Sequence, residues 1–368
     1  MEFKLNKEDN LKLQKLLETN EINYDISEMY LYYFYNVARD LKKSDIETMK
    51  RINHLDEKDA FFYSFMTLLE LDVSDIESLE TAKRYCYSGI KKLDINEYLN
   101  NPYLKNIKIN PSKASNIKIN YDSYLPYEGF PSDDLVVDED NYFEEHYQLG
   151  YFDTKYSFQS ITHDKITWMS IIPNEIETMK EDISKVSGKV LVYGLGLGYF
   201  AYMISLKDDV SNITIVEKDK NIIKLFKEII LPQFKNSNKI KIVEDDAFHF
   251  EKTNKETYDF AYVDLWHGSE DGIEFYLKFK ALELRSKNYL YWLEKSLVNV
   301  IRRDLITIIY EQYNKTNSSY NDAKDLNDKI INSLYKIIQN KTFSSYQEIH
   351  SLLQEESIKS LVKDNKII

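Results

Sequence analysis

Three glycines lie within five residues, Gly194, Gly196 and Gly198, between the apolar run Lys189-Val-Leu-Val-Tyr193 and a second apolar stretch that begins at Tyr199. Glycine permits positive φ and close approach of a ligand to the backbone, and a helix that starts after such a loop offers amide donors to an anion. Three acidic positions follow, each after its own apolar run: Glu217 after Ile213-Thr-Ile-Val, Asp246 with Ala247 after Lys239-Ile-Lys-Ile-Val-Glu-Asp, and Asp264 after Tyr258-Asp-Phe-Ala-Tyr-Val. A carboxylate at the first suits ribose hydroxyls, one at the second suits an adenine amino group, and one at the third faces a reacting group. His267 lies three residues beyond Asp264. Its ordinary pKa suits proton transfer. Nucleoside binding coupled to group transfer, with a proton lost from the nucleophile, is the chemistry this set could do.

Each residue also has a plain reading. Glu217 can be a solvated loop acid, Asp246 a helix N-cap, Asp264 a turn acid, His267 a surface histidine, and the glycines a packing turn. Their order, one per strand–helix unit, favours a site. The loop alone fits two ligands, the methionine carboxylate of S-adenosyl-L-methionine (SAM) or the pyrophosphate of a dinucleotide. Gly196-Leu-Gly198-Tyr-Phe-Ala201 also fits a dinucleotide fingerprint, so an NAD-dependent oxidoreductase stays among the alternatives.

These residues require strands near 189–193, 213–216, 240–243 and 258–263, a fifth near 289–293, and helices near 174–186, 199–206, 220–230 and 273–284. That alternation predicts an α/β fold with a parallel sheet and crossover helices. Breakers map the rest. All six prolines lie between Pro102 and Pro232, and the first 101 residues hold one glycine, Gly89. The spacing of Ile26, Met29, Tyr30, Tyr33 and Val37 is helical. About five helices are expected between Lys7 and Leu93, with Ser44 and Ser74 as N-caps ahead of Glu47 and Glu77. Alternation at 106–110 and 116–121 predicts strands. The expected layout is a helical N-terminal domain without strands (1–101), a β-rich connector (102–172), a Rossmann-like domain (173–297) and a C-terminal extension of two or three helices (298–368).

With 61 acidic against 48 basic side chains the net charge is −13. Such a chain is repelled by phosphate backbones, which makes nucleic acid a poor default substrate. The single cysteine, Cys86, excludes an intrachain disulfide and fits a reducing compartment. No signal-peptide pattern and no uncharged apolar span is present, so no membrane partner is expected and a cytoplasmic location is. The oligomeric state is left open. His146, His163, His249, Glu144 and Glu145 show no ligand spacing, so no metal is expected. The run Tyr30-Leu-Tyr-Tyr-Phe-Tyr35 reads as a packed helix rather than a base-stacking surface. The segment Trp168-Met-Ser-Ile-Ile-Pro-Asn-Glu-Ile176 reads as packing or as a rim over the ligand, and Gly268 and Gly272 as flanks of a mobile loop.

The runs at 190–199, 215–219 (Ile-Val-Glu-Lys-Asp), 244–248 (Glu-Asp-Asp-Ala-Phe) and 258–266 resemble class I SAM-dependent methyltransferases, and within them the spermidine synthase-like branch. The β-rich segment before them resembles the small N-terminal sheet of spermidine synthases. The resemblance implies a Rossmann-like SAM-binding fold. It implies a cofactor site of Tyr193, Gly194, Leu195, Gly196, Gly198, Glu217, Lys218, Asp246, Ala247 and Asp264; Asp264 and, by its spacing and chemistry, His267 are the catalytic candidates. The implied activity is methyl transfer to a small-molecule or protein acceptor. The alternatives are an aminopropyltransferase and a non-catalytic SAM-binding module. Two departures stand out. Val192 occupies the position where many methyltransferases carry an acid, and the loop lacks the Asp that spermidine synthases place in it. Neither Asp-Pro-Pro-Tyr nor Asn-Pro-Pro-Tyr, the motifs of amino-group methyltransferases, occurs. Helices are expected in place of the last antiparallel strands usual in the class.

Overall fold

Val190, Leu191, Val192 and Tyr193 are apolar without alternation, the pattern of a strand covered on both faces. In a computed structural model, which describes residues 1–71, 74–109, 117–163, 166–316 and 325–368, they form the middle of a five-stranded sheet. We label its strands β1 (Gly188–Tyr193), β2 (Val210–Glu217), β3 (Ile240–Glu244), β4 (Tyr258–Val263) and β5 (Ser286–Tyr291). The order is β3-β2-β1-β4-β5, and every pairing is parallel. The helices around it are α1 (Pro102–Asn106), α2 (Pro173–Lys185), α3 (Tyr199–Ser205), α4 (Lys220–Leu225), α5 (Ala247–Thr253), α6 (Ser269–Lys280) and α7 (Glu294–Tyr313).

The register places the chemistry. Tyr193 pairs with Val216 on one side and Val263 on the other, and Val263 pairs with Tyr291. The next residue on each strand therefore stands at one edge of the sheet: Glu217, Gly194, Asp264 and Trp292. Chain order reverses between β1 and β4, and ligands in open α/β sheets bind at such a switch point, outside the carboxyl ends of the strands.

The main core joins this sheet to α7 and the C-terminal helices and takes in Leu13, Leu16 and Leu17 from the helix Lys7–Tyr32. The far half of the same helix, with Ile26, Tyr30 and Tyr33, enters a second core with Phe61, Phe62, Phe65, Cys86 and Tyr151. The Tyr-rich run is thus divided: Tyr30 and Tyr33 are buried, while Tyr32 and Tyr35 face solvent.

Several expectations need correction. The first 95 residues contain two short strands. Glu2–Phe3 pairs with Thr342–Phe343, and Ile90–Lys92 pairs with Leu149–Tyr151. Both pairings are to distant segments, which local periodicity does not register. Between Lys7 and Leu93 the described residues hold four α-helices, two of which end in π turns at Tyr33–Val37 and Lys83–Tyr87. Ser44 and Ser74 are not caps. The side chain of Asp45 accepts the Lys42 amide at 3.0 Å, and that of Asp75 accepts the Ser78 amide at 2.8 Å. Asn106 ends α1 instead of opening a strand, Asn110 and Asn116 lie outside the described residues, and Ile117–Tyr124 is the strand expected nearby. Beyond β5 the described residues hold four helices rather than two or three, α7, Leu326–Ile338, Tyr346–Leu353 and Glu355–Asp364. Among the described residues no helix is long and apolar enough to cross a membrane.

Candidate active site

The loop after β1 needs its glycines for separate reasons. Gly194, Gly196 and Gly198 all have positive φ, at +93°, +52° and +74°. A Cβ on Gly194 would come within 1.9 Å of the Asp264 carbonyl oxygen, and one on Gly198 within 2.3 Å of the Phe226 ring. Those two hold the loop against β4 and against the π turn after α4. At Gly196 a Cβ would meet only the Met169 sulfur, at 4.0 Å, so that face is open. Leu195 donates its amide to Glu217, and its side chain is buried. Tyr193 contributes only its main chain to this edge. Its ring lies among Phe250 and Phe279, and its hydroxyl donates to the buried Glu251 carboxylate.

Glu217 ends β2 and is half-buried. One carboxylate oxygen accepts the Leu195 amide at 3.1 Å, and the other accepts the Asp219 amide at 2.8 Å. Lys218 beside it is exposed. Asp246 is the N-cap of α5, accepting the His249 amide at 3.0 Å, and Ala247 is buried behind it. Asp246 is thus the helix N-cap that its plain reading gives, and it is exposed. The His249 ring pairs with Asp245 at 2.8 Å on the exposed side of α5.

Asp264 ends β4. Its amide donates to the Tyr193 carbonyl at 2.9 Å. Its carboxyl keeps some open surface but is hemmed in by protein, and no described residue donates a hydrogen bond to it. Burial, then the nearby charge of Glu217, pushes its pKa up to about 7. The sequence reading missed its neighbour, Glu175. Burial and then the charge of Asp264 push that carboxyl up to about 8, against the Ser170 hydroxyl at 3.4 Å. Glu175 belongs to the segment 168–176 read as a possible rim, so the segment was visible although the residue was not singled out.

His267 does not join Asp264. It is exposed, and its ring pairs with Asp271 at 3.0 Å. Asp271 also accepts the amides of His267 and Gly268 and so caps α6. Trp266 is buried, donates its indole N–H to the Trp292 carbonyl at 3.2 Å, and lies over Gly272, where a Cβ would be 2.7 Å from the ring. Gly272 is therefore a packing glycine inside α6 and not a loop hinge.

The β-rich segment meets the same edge. Met169 faces Gly196, and Ser170 adjoins Glu175. The side chains of His163 and Trp168 lie outside the described residues. Further support comes from α1, which sequence periodicity did not connect to the loop. The Tyr103 hydroxyl donates to the Leu197 carbonyl at 2.5 Å, and the Asn101 amide to the Tyr199 hydroxyl at 3.0 Å.

No curated relative matches the sequence. Solved structures similar to the chain include the spermidine synthase of Thermotoga maritima, at 14% identity over 40% of this chain and 59% of that one, with a TM-score of 0.27. A candidate O-methyltransferase of Klebsiella pneumoniae is similar at 12% identity over 42% and 62%, with a TM-score of 0.23. A conserved hypothetical protein of Streptococcus pyogenes is similar at 18% identity over 29% and 66%, with a TM-score of 0.24. The chain spans less than two thirds of the length of each. Residues 176–283 match the family described as spermine/spermidine synthase domain. That segment carries the spermidine synthase-like resemblance read from the sequence.

Proposed function

We propose that the chain is a SAM-dependent methyltransferase whose acceptor presents an amine, on a small molecule or a protein. SAM, when bound, supplies a methyl group on a positively charged sulfur. Residues of this chain fit it. The open face of Gly196 leaves room beside the loop, and Glu217 stands where ribose hydroxyls would lie. Asp264, Glu217 and Glu175 bring negative charge to one edge, and among the described residues no Lys or Arg acts on Asp264 or Glu175. The observation that carries the reading is Asp264, a carboxyl with no donor among the described residues and a pKa pushed to about 7. Such a group can hold an amine, orient it, and take its proton as the new bond to carbon forms.

An uncharged Gly-Leu-Gly-Leu-Gly loop suits a donor that keeps its carboxylate, as SAM does and decarboxylated SAM does not. The match of residues 176–283 to the spermine/spermidine synthase domain favours a second reading, aminopropyl transfer from decarboxylated SAM to an amine. Thermal shifts with SAM, S-adenosylhomocysteine, decarboxylated SAM and NAD separate the readings. Stabilisation by SAM and S-adenosylhomocysteine supports methyl transfer. Stabilisation by decarboxylated SAM alone replaces it with aminopropyl transfer, and stabilisation by NAD alone overturns both.

A further inference from the structure

A loop with glycine at 194, 196 and 198 does not hold its own shape, because glycine turns at little cost. The shape of this one is imposed from two sides. On one side Glu217 accepts the Leu195 amide at 3.1 Å. On the other the hydroxyl of Tyr103, a buried residue of α1, donates to the Leu197 carbonyl at 2.5 Å. The Gly198 amide closes the turn on the Leu195 carbonyl at 2.8 Å, so the peptide between Leu197 and Gly198 is held at both ends. The side chains of Leu195 and Leu197 are buried. Among the described residues the amides of Gly196 and Leu197 donate to no protein acceptor. The segment that carries Tyr103 is itself braced. Asn101 accepts the Tyr103 amide at 2.9 Å and donates to the Tyr199 hydroxyl at 3.0 Å. The Tyr103 ring meets Tyr199 and Tyr202 edge-on, with centroids 5.6 and 5.4 Å apart. Asn106 donates to the Tyr202 hydroxyl at 3.0 Å, and the Lys108 main chain exchanges two hydrogen bonds with the Gln233 side chain, at 2.9 and 3.0 Å.

We propose that Tyr103 is a positioning residue for the donor: its hydroxyl fixes the Leu197 carbonyl, so that the Gly196 and Leu197 amides stand ready for the methionine end of SAM before it binds. This rests on the SAM reading above. Without the hydroxyl a buried carbonyl loses its donor, and the loop spreads over other conformers to satisfy it. Only the fraction still in the receiving shape binds, and the apparent affinity falls by that fraction. The loss is confined to ligands that use the loop. An adenosine derivative without an amino-acid end depends on Glu217 and not on these amides, so it is spared.

The test is calorimetric titration of the full chain with SAM, S-adenosylhomocysteine and 5′-methylthioadenosine, which keeps the nucleoside and the sulfur but has no amino-acid end. Tyr103→Phe retains the ring contacts and removes only the hydroxyl. It should weaken SAM and S-adenosylhomocysteine by about 5- to 20-fold and leave 5′-methylthioadenosine unchanged, a split that a merely structural role would not produce. Asn106→Ala cuts a bond of the same segment that does not reach the loop, and it should leave all three ligands unchanged. A second measurement uses the unaltered chain and so does not depend on the variant folding. Coupling is reciprocal, so SAM should slow amide hydrogen exchange at 101–109 as well as at 194–198, and 5′-methylthioadenosine should slow it less at both. Unchanged SAM affinity in Tyr103→Phe overturns the proposal, as does equal weakening of all three ligands, or exchange at 101–109 that SAM does not slow. An unaltered chain that binds neither SAM nor S-adenosylhomocysteine overturns the SAM reading instead, and this inference with it.

Discussion

The carboxylate of Glu217 accepts the amide of Leu195 at 3.1 Å, so the end of β2 is tied directly to the middle of the glycine loop on β1. The same group accepts the Asp219 amide at 2.8 Å. It is therefore a hub for two chain segments before any ligand is considered.

Glu217→Ala should weaken SAM binding. Charge-assisted hydrogen bonds are worth about 1.5–3 kcal/mol each. With water replacing part of the loss at the cleft mouth, about 2–3 kcal/mol in total is expected, roughly 30- to 150-fold in affinity. Glu217→Gln should lose less, since its amide oxygen still accepts one bond. Calorimetric titration measures both, and unchanged affinity in the alanine variant would remove Glu217 from the site.

Asp264→Asn should cut turnover by about two to four orders of magnitude, the range for loss of a positioned base. SAM affinity should stay within a few-fold, as for an interaction made mainly in the transition state. In the unaltered chain the rate should rise as pH passes through about 7, where Asp264 ionises. Release of S-adenosylhomocysteine over a panel of small amines and peptides reports all three. A rate that falls through that window would exclude Asp264 as the base.

Stability should decline from acid toward alkaline pH at this site. Asp264 and Glu175 keep protons in the folded chain up to about 7 and 8, whereas the unfolded chain loses them in the ordinary carboxylate range. The folded state binds more protons across that window, so its stability falls as pH rises through it. Asp264→Asn with Glu175→Gln should thus stabilise the chain at pH 8, by about 1–3 kcal/mol after allowing for coupling, and change little at pH 4. Denaturant melts at the two pH values give the comparison. Destabilisation at pH 8 would contradict it.

Gly194→Ala should destabilise by about 3 kcal/mol or more, because the new Cβ meets backbone and φ is positive. Gly268→Ala is the contrast. It has extended backbone and nothing within 4 Å of a Cβ, so a change within about 0.5 kcal/mol is expected. Equal effects in urea melts would mean that the approach of Gly194 to Asp264 is not rigid.

The sequence by itself determined the sheet and the order of its edge residues. Continuous apolar runs such as Val190–Tyr193 mark strands covered on both faces, and the acids that follow them fall at carboxyl ends whatever the rest of the chain does. It also determined that helices would follow β5, although not the short strand Thr342–Phe343 among them. What only the tertiary structure decided is who meets whom. The pairing of Glu2–Phe3 with Thr342–Phe343 joins the two ends of the chain and leaves no local pattern. Glu175 is one acid among 61 until α2 brings it to Asp264. His267 looked like a partner for Asp264 by spacing, but α6 starts there, and its cap Asp271 takes the ring. Tyr193 belonged to the motif, yet strand alternation turns its side chain away from the loop and toward Glu251. Periodicity records which face a residue occupies within its own element, while a site is made between elements, where long-range packing fixes distance and charge.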